Sequence, residues 1–291
     1  MHSSLDGQLS PGRVKTEVDI PVGMYCLRFD GEKIGYHFYG KGETARQRVK
    51  KVRSCFMQWR ACKKGARMEE TRVIEVKEEI LAENTAAADA FRLKLAAEGC
   101  YYIDIMSSPG AGKTTLLLAL IERLRTQGQI GIIEADLESF VDSKKIKEAG
   151  IPAVQLETNN ICHVEMGMVE SAWKAFGGQH FDYLFLENIG NLVCPADFDT
   201  GAHRRVMLLS VPEGYDKVYK YPPMFAIVDA LIVTKIDYLP LNPDFDMAAL
   251  HEQARVLNPN LKIFEVSART GEGVDELAAW LAEDRDQMMA S

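Results

Sequence analysis

The clearest chemical signal in the sequence is a glycine-rich segment that ends in lysine and threonine. Ser107–Thr114 reads Ser-Ser-Pro-Gly-Ala-Gly-Lys-Thr, with Ser107 in place of the first glycine of the pattern G-x-x-x-x-G-K-[ST]. Two glycines let the backbone turn so that successive N–H groups face phosphate oxygens. Lys113 can reach the β and γ oxygens, and Thr114 offers a hydroxyl to Mg²⁺. The predicted phosphate contacts are Gly110, Ala111, Gly112, Lys113, Thr114 and Thr115. The alternative is a turn that merely joins a strand to a helix.

Two acidic residues at the ends of apolar runs suit the same chemistry. Asp136 follows Ile130–Ala135 and is the candidate partner of Mg²⁺. Glu187 begins a Glu-x-x-Gly segment where many GTPases have Asp-x-x-Gly, so the N–H of Gly190 is placed to sense a γ-phosphate. The predicted hydrolytic residues are Lys113, Thr114, Asp136 and Glu187, with Thr114 and Asp136 as magnesium ligands. Alternatively, each acid is an ordinary strand-end residue that caps a helix or pairs with lysine.

A second motif carries a base preference. Thr234–Asp237 reads Thr-Lys-Ile-Asp, close to the guanine-reading Asn-Lys-x-Asp. The carboxylate of Asp237 can accept from guanine N1–H and the exocyclic amino group, whereas adenine offers no such pair of donors, so GTP is preferred over ATP. Threonine in place of asparagine removes an amide that would tie this loop to the phosphate loop, which predicts altered affinity. The predicted base contacts are Lys235, Asp237, Ser267 and Ala268.

Cysteine and histidine residues near these motifs could hold a second metal. Cys162, His163 and Cys194 offer thiolate and imidazole, which suit Ni²⁺ or Zn²⁺, whereas Mg²⁺ prefers oxygen. The sequence predicts that the first two begin a helix and therefore point about 100° apart, which favours a site shared across a dimer or His163 outside the coordination sphere. Cys194 follows Glu187 by seven residues, so ordering of Gly190 would move a ligand. The alternative is two small buried thiols and a helix-capping histidine.

Length and composition limit the class of protein. The chain has 291 residues, of which 47% are apolar and 26% charged, enough for one α/β domain plus an appendage. No stretch approaches the ~20 apolar residues of a membrane span, and a secretory leader is not evident, so we expect a cytoplasmic protein. Six scattered cysteines predict thiols, including a packed Cys100. The net charge of -8 argues against nucleic acid as a partner.

The elements that must position these residues alternate along the chain. From Met68 onward, apolar runs alternate with amphipathic stretches, which predicts a doubly wound, mostly parallel seven-stranded α/β sheet. Helices are predicted over 85–97 and 113–127, the second capped by Gly128. Residues 1–67 form an irregular N-terminal extension with a possible hairpin over 25–39, and residues 68–291 form the P-loop domain. The seven predicted strands are 101–106, 129–136, 152–157, 181–187, 205–211, 229–234 and 262–267.

The motifs together resemble those of one known family, the hydrogenase nickel-incorporation GTPases (HypB family) of the SIMIBI class of P-loop GTPases. The resemblance rests on 107–115, Cys162–His163, 187–195 and the Lys-Tyr-Pro element that begins at Lys220. It implies a GTP-dependent homodimer whose interface metal site is built from Cys162, His163 and Cys194. It also implies nickel insertion into [NiFe] hydrogenase with a nickel-chaperone partner and the hydrogenase large-subunit precursor. Lys220 would approach the nucleotide across the dimer.

Two other functions remain open at this level. The first is a nucleotide-responsive metal carrier or sensor with little turnover. The second is a urease-type nickel chaperone, although that family has a Cys-Pro-His spacing absent here. The histidine run or cysteine motif with which many HypB proteins store nickel is also missing from residues 1–67, and no glutamine follows Gly190 as a catalytic residue, which predicts slow hydrolysis.

Overall fold

A computed structural model of the chain describes residues 24–29, 32–38, 69–135, 146, 149–158 and 161–290, with side chains described from residue 79 onward. The predicted magnesium partner Asp136 lies outside the described residues. So do most of the predicted N-terminal extension, including Cys55 and Cys62, and the pair Asn159–Asn160 that precedes the candidate metal ligands.

The first two strands form the hairpin that the sequence predicts. β1 (Met24–Phe29) pairs antiparallel with β2 (Glu32–Phe38), with one register shift between Leu27 and Arg28. This two-stranded sheet is separate from the main sheet in its hydrogen bonding.

The main sheet has seven strands, and each strand is parallel to its neighbours. Their order across the sheet is β5-β4-β6-β3-β7-β8-β9. The predicted sheet and its strand count are therefore confirmed, with ends that differ by a few residues. The strands are β3 (Tyr101–Ser107), β4 (Ile130–Glu134), β5 (Ala153–Gln155), β6 (Tyr183–Gly190), β7 (Arg204–Ser210), β8 (Ala230–Thr234) and β9 (Lys262–Val266).

The helices cover both faces of this sheet, as the unbroken apolar strands require. They are α1 (Glu69–Ala97), α2 (Lys113–Leu124), α3 (Met166–Ala175), α4 (Lys217–Lys220), α5 (Pro222–Ile227), α6 (Met247–Leu257) and α7 (Val274–Met289). One apolar core packs α2 and α7 against the sheet, and two others lie beneath α5 with α6 and beneath α1 with α3. None of the helices in the described ranges is both long enough and apolar enough to cross a membrane.

Two predicted helix boundaries were wrong. The helix predicted from Thr85 begins at Glu69. The helix predicted to run to a Gly128 cap ends at Leu124, with Arg125 as the capping residue. Gly128 is required for a different reason, since an added Cβ would lie 2.5 Å from the Cβ of Asp182. Close approach of two chain segments, and not helix termination, therefore explains this glycine.

Candidate nucleotide and metal site

The phosphate loop lies between the end of β3 and the start of α2, at the carboxyl edge of the sheet where ligands of such folds bind. Gly110 and Gly112 have φ of 74° and 98°, a left-handed backbone that favours glycine. The ammonium group of Lys113 is folded back onto Ser107, with Nζ donating to Oγ at 3.2 Å. Serine at the position of the usual first glycine therefore gives the lysine a hydrogen-bond partner.

The base-reading loop is tied directly to the phosphate loop. The hydroxyl of Thr234 donates to the carbonyl of Ala111 at 2.7 Å, and Nζ of Lys235 donates to the carbonyl of Gly110 at 2.7 Å. The expectation that threonine would leave the two loops without a side-chain hydrogen bond was therefore wrong. The hydroxyl of Thr234, at the end of β8, itself reaches the backbone of the phosphate loop. Lys235 has φ of 58°, the one positive value among the described non-glycine residues.

Buried oxygen atoms next to the loop suit a hard cation. The hydroxyl of Thr114 donates to Oε1 of Glu187 at 2.6 Å, and Glu187 is 1% exposed. Glu134 stands opposite Glu187 in the β4–β6 register and is also buried. Glu134 was not predicted as a site residue, although it precedes Asp136 by two residues at the same strand end. Hydroxyl and carboxylate donors of this kind fit Mg²⁺.

The predicted switch glycine touches the phosphate loop. Gly190 ends β6 and pairs with Ser107 at the end of β3. An added Cβ at Gly190 would lie 3.0 Å from the Cα and N atoms of Pro109. The two segments therefore approach each other at a distance that a side chain on this residue would disturb.

The predicted base-reading carboxylate is held by two neighbours. The hydroxyl of Ser267 donates to Oδ1 of Asp237 at 2.6 Å, and the guanidinium of Arg269 contacts Oδ2 at 2.9 Å. The hydrogen bond from Ser267, with the charge and hydrogen bond of Arg269, lowers the pKa of Asp237. This carboxyl is therefore ionised at neutral pH, as an acceptor for two N–H groups must be. No role was predicted for Arg269. Its contact with Asp237 depends on the conformation of the turn after β9, which the spacing of the residues in the sequence does not indicate. Ala268 lies between these two partners.

The three candidate ligands of a soft metal meet within one chain. The donor atoms of Cys162, His163 and Cys194 all lie within 4.8 Å of one another. The two sulfur atoms are 2.8 Å apart, and Nδ1 of His163 is 3.9 Å from Sγ of Cys162. The predicted helical geometry was wrong, because α3 begins only at Met166. Cys162 and His163 lie on a bend, where neighbouring side chains can converge, so a single chain can present all three.

Surrounding residues fix the orientation of the imidazole. Nε2 of His163 is 3.2 Å from Oε1 of Glu165, and the ring stacks on Phe198 with centroids 3.7 Å apart. If Nε2 carries the proton and donates it to the carboxylate, the lone pair of Nδ1 faces the cysteines, as is usual behind histidine metal ligands. Neither Glu165 nor Phe198 was predicted from the sequence. Glu165 follows His163 by two residues, but nothing local indicates the stacking of Phe198.

The loop of Cys194 is joined to the loop of Cys162. Nδ2 of Asn191 donates to the carbonyl of Cys162 at 2.9 Å, while its Oδ1 accepts from the N–H of Val193 at 2.9 Å. The hydrogen bond with Cys194, followed by burial, raises the pKa of the Cys162 thiol. A metal would therefore displace a proton as it binds.

Two other predicted residues, Cys100 and Lys220, are not members of this cluster. Cys100 is buried, and burial raises the pKa of its thiol to about 12, which agrees with packing and not ligation. Lys220 forms an ion pair with Asp216 at 2.5 Å. Its predicted approach to a nucleotide of a second chain stays a prediction.

Fold and site together define a P-loop protein with a cysteine and histidine cluster beside its phosphate loop. Residues 102–265 match the family model of the CobW/HypB/UreG nucleotide-binding domain. The hydrogenase maturation factor HypB of Azotobacter chroococcum mcd 1 is 41% identical over 218 residues, covering 75% of this chain and 71% of the relative. The chain therefore belongs to the HypB family of hydrogenase maturation factors, within the SIMIBI class of P-loop GTPases.

Solved structures of this family have the same fold. The crystal structure of HypB from Helicobacter pylori in complex with nickel matches with a TM-score of 0.66 at 34% identity, over 70% of this chain and 96% of that chain. HypB from Archaeoglobus fulgidus matches with a TM-score of 0.66 at 34% identity, over 70% of this chain and 99% of that chain.

Proposed function

We propose that this protein hydrolyses GTP and couples its nucleotide state to nickel binding and delivery during [NiFe] hydrogenase maturation. The observation that carries the proposal is the 2.8 Å contact between the sulfur atoms of Cys162 and Cys194. Cys194 lies in the segment that leaves β6 directly after Gly190, the residue packed against the phosphate loop. A displacement of Gly190 by the γ-phosphate therefore reaches a metal ligand within four residues.

Different residues have different roles in the proposed GTP binding and hydrolysis. Lys113 leaves Ser107 to neutralise phosphate charge, backbone N–H groups of Gly110 to Thr115 cradle the phosphates, and Glu187 orients the hydroxyl of Thr114. Thr114 and Asp136 would hold Mg²⁺, which would neutralise phosphate charge when bound. Asp237 selects guanine, with Lys235, Ser267 and Ala268 supporting the base.

Nickel is the cargo of this reaction. Two sulfurs and one imidazole suit Ni²⁺ and also Zn²⁺, so the donor set admits both ions. We further propose a cytoplasmic homodimer that works with a nickel-chaperone partner and the hydrogenase large-subunit precursor, without membrane or nucleic-acid contacts. The nickel complex of the Helicobacter pylori relative supports the choice of cargo.

We assign this activity to residues 68–291 and treat residues 1–67 as an extension. The described nucleotide and metal residues all lie between Ser107 and Ala268. A chain that begins at Met68 is therefore expected to bind GTP and nickel with the affinity of the full chain. Loss of either binding activity on removal of residues 1–67 would contradict this division.

Phosphate release from GTP distinguishes the proposal from a carrier or sensor with little turnover. We expect slow release from the purified protein, abolished by Lys113→Ala. Binding of GTP without release, both with and without nickel, would contradict the enzymatic part.

Nickel binding tests the cargo site separately. Cys194→Ala should weaken nickel binding by at least about tenfold, since even indirect ligand supports contribute that much. Cys100→Ala is the matched control, because it removes a thiol outside the site and should leave nickel stoichiometry unchanged. Equal nickel affinity in the two variants would contradict the proposed ligands.

A further inference from the structure

A buried carboxylate lies beneath the segment that carries Cys194. Asp104 is in the middle of β3, three residues before the end of that strand, and is 0% exposed. It lies within the strand that leads into the phosphate loop, yet neither the proposed nucleotide chemistry nor the proposed metal ligation uses it. Burial raises the pKa of Asp104, while Arg205 and hydrogen bonds from Thr200 and Asn188 oppose that rise.

The hydrogen bonds of Asp104 reach two points that are far apart in the sequence. Nδ2 of Asn188 donates to its two carboxylate oxygens at 3.0 and 3.2 Å. The hydroxyl of Thr200 donates to Oδ2 at 2.7 Å. Asn188, near the end of β6, and Thr200 flank the segment 191–199, called here the Cys194 loop. One carboxylate therefore holds both ends of the loop that contains the metal ligand.

A neighbouring cation holds the middle of the same loop. Nη2 of Arg205, on β7, donates to the carbonyls of Pro195 at 3.2 Å and Phe198 at 2.9 Å. Phe198 in turn stacks on His163. The Cys194 loop is therefore attached to β3 and β7 at several points, and its aromatic residue supports a second predicted ligand. These bonds restrict movement of the middle and the far end of the loop relative to β3 and β7.

We infer that Asp104 is a positioning residue that couples the nucleotide switch to the metal site by holding both ends of the Cys194 loop to strand β3. The inference rests on the proposed function. A displacement that begins at Gly190 moves Cys194 most when the C-terminal end of the loop, at Thr200, stays in place. With Thr200 held by Asp104, a displacement of Gly190 must be taken up within the stretch that contains Cys194. With Thr200 released, the far end keeps its bonds to Asn84 and Arg92 through Asp199 but yields more, so less of the displacement reaches Cys194.

The test compares nickel affinity in two nucleotide states. Nickel is titrated into the full-length protein loaded with GDP or with a non-hydrolysable GTP analogue, and the ratio of the two dissociation constants measures coupling. Thr200→Val removes the hydroxyl but keeps the β-branched shape. Substitutions in coupling networks change such ratios by about 2- to 30-fold, so we expect the ratio to move towards one by at least about threefold, with the GTP and GDP affinities of the nickel-free protein unchanged.

Thr85→Val is the matched control, because the hydroxyl of Thr85 donates only to Leu81 within α1. It should keep the ratio of the parent protein. Asp104→Asn is the second variant, which places an amide against the amide of Asn188 and should also move the ratio towards one. Melting temperatures are measured in parallel, because a merely structural role would lower them without changing the ratio.

The outcomes separate the inference from the function on which it rests. A parent ratio of one overturns both the proposed coupling and the role of Asp104. A parent ratio different from one that persists in Thr200→Val and Asp104→Asn overturns the role of Asp104 alone. If Thr200→Val does not fold, the result with Asp104→Asn decides.

Discussion

Asp237 illustrates how a single carboxylate can read a base. Both of its oxygens already accept hydrogen bonds, one from Ser267 and one from Arg269. The side chain of Arg269 is 74% exposed, and exposed ion pairs contribute little, so guanine can compete for this oxygen. The lowered pKa of Asp237 keeps the acceptor charged throughout the physiological range.

Asp237→Asn tests base selection. The amide N–H would face the N–H groups of guanine, so we expect GTP affinity to fall by about 10- to 100-fold through lost and unsatisfied hydrogen bonds. Xanthosine triphosphate, which offers a carbonyl in place of the amino group, should gain affinity. Arg269→Gln should change GTP affinity less than about fivefold. Nucleotide titration measures all three, and unchanged GTP affinity in Asp237→Asn would refute the assignment.

Residue types and spacing were enough to predict the nucleotide motifs, but they did not predict every contact. The phosphate loop is recognisable because lysine, threonine and two glycines have fixed positions between a strand and a helix. The partner of Thr234 was not predictable, since it depends on how closely β8 approaches the phosphate loop. Glu134 and Phe198 were missed for the same reason, because both act through neighbours that are distant in sequence.

At the scale of elements, the end of β6 contacts both the phosphate loop and the segment of the predicted metal ligand Cys162. Gly190 packs against Pro109 of the phosphate loop, and Asn191 bonds to the backbone of Cys162 two elements away. Two consecutive residues therefore contact the two predicted binding sites. Only a very short length of chain therefore separates the contacts to the two predicted sites, which is the path of the proposed coupling.

Gly190→Ala tests this link. Its Cβ would meet the backbone of Pro109 at 3.0 Å, so we expect the phosphate loop to shift and GTP affinity to fall, with a loss of stability of about 1–3 kcal/mol. Gly167→Ala is the matched control, because its Cβ would meet nothing within 4 Å and it lies in α3. Calorimetric titration with GTP and urea unfolding give the two quantities. Parent-like GTP binding in Gly190→Ala would argue against the close contact.

The residue directly before β7 is a buried histidine, His203, that makes stability depend on pH. Nδ1 of His203 accepts from the N–H of Tyr102 at 2.9 Å, and Nε2 is 3.0 Å from the carbonyl of Arg92. Burial lowers the pKa of His203 to about 4, with Arg92 and Arg204 acting in the same direction and the Arg92 carbonyl opposing them. The folded protein therefore keeps this ring neutral, whereas the unfolded chain binds a proton near pH 6.5.

The sign of the resulting pH dependence follows from proton uptake. Between about pH 6.5 and pH 4 the unfolded state binds more protons, so stability is complete above this window and is lost as pH falls through it. The loss is about 3 kcal/mol on the scale of 1.36 kcal/mol per pKa unit. His203→Gln removes this slope, and His180→Gln, at an exposed site, should retain it. Urea unfolding from pH 7.5 to 4.5 measures the difference; parallel slopes for parent and His203→Gln would disprove it.

Boundaries of elements were predicted less well than their type. The seven parallel strands were predictable because each is a continuous apolar run. Such runs are typical of strands in a sheet that helices cover on both faces. The placement of Cys162 and His163 before α3 did not follow, because both residues are compatible with a helix and only the packing of 161–165 sets its start at Met166. That single boundary decides whether one chain can present both side chains to one metal.

At the scale of the whole molecule, topology explains why nucleotide and metal chemistry occur together. β3 is central in the sheet and borders both β6 and β7. Its end forms the phosphate loop, and its interior carries Asp104, which holds the Cys194 loop. Sequence order alone separates these features by many residues, but the parallel sheet brings their carboxyl ends to one edge.

The central claim is that nucleotide state changes the free energy of nickel binding. Nickel titration of the GDP form and of the form loaded with a non-hydrolysable GTP analogue measures this most directly. We expect the two dissociation constants to differ by about 5- to 150-fold, the range of typical coupling between sites, and the difference to disappear in Cys194→Ala. Equal nickel affinity in both nucleotide states of the parent protein would contradict the account, because a switch that leaves binding free energy unchanged cannot drive delivery.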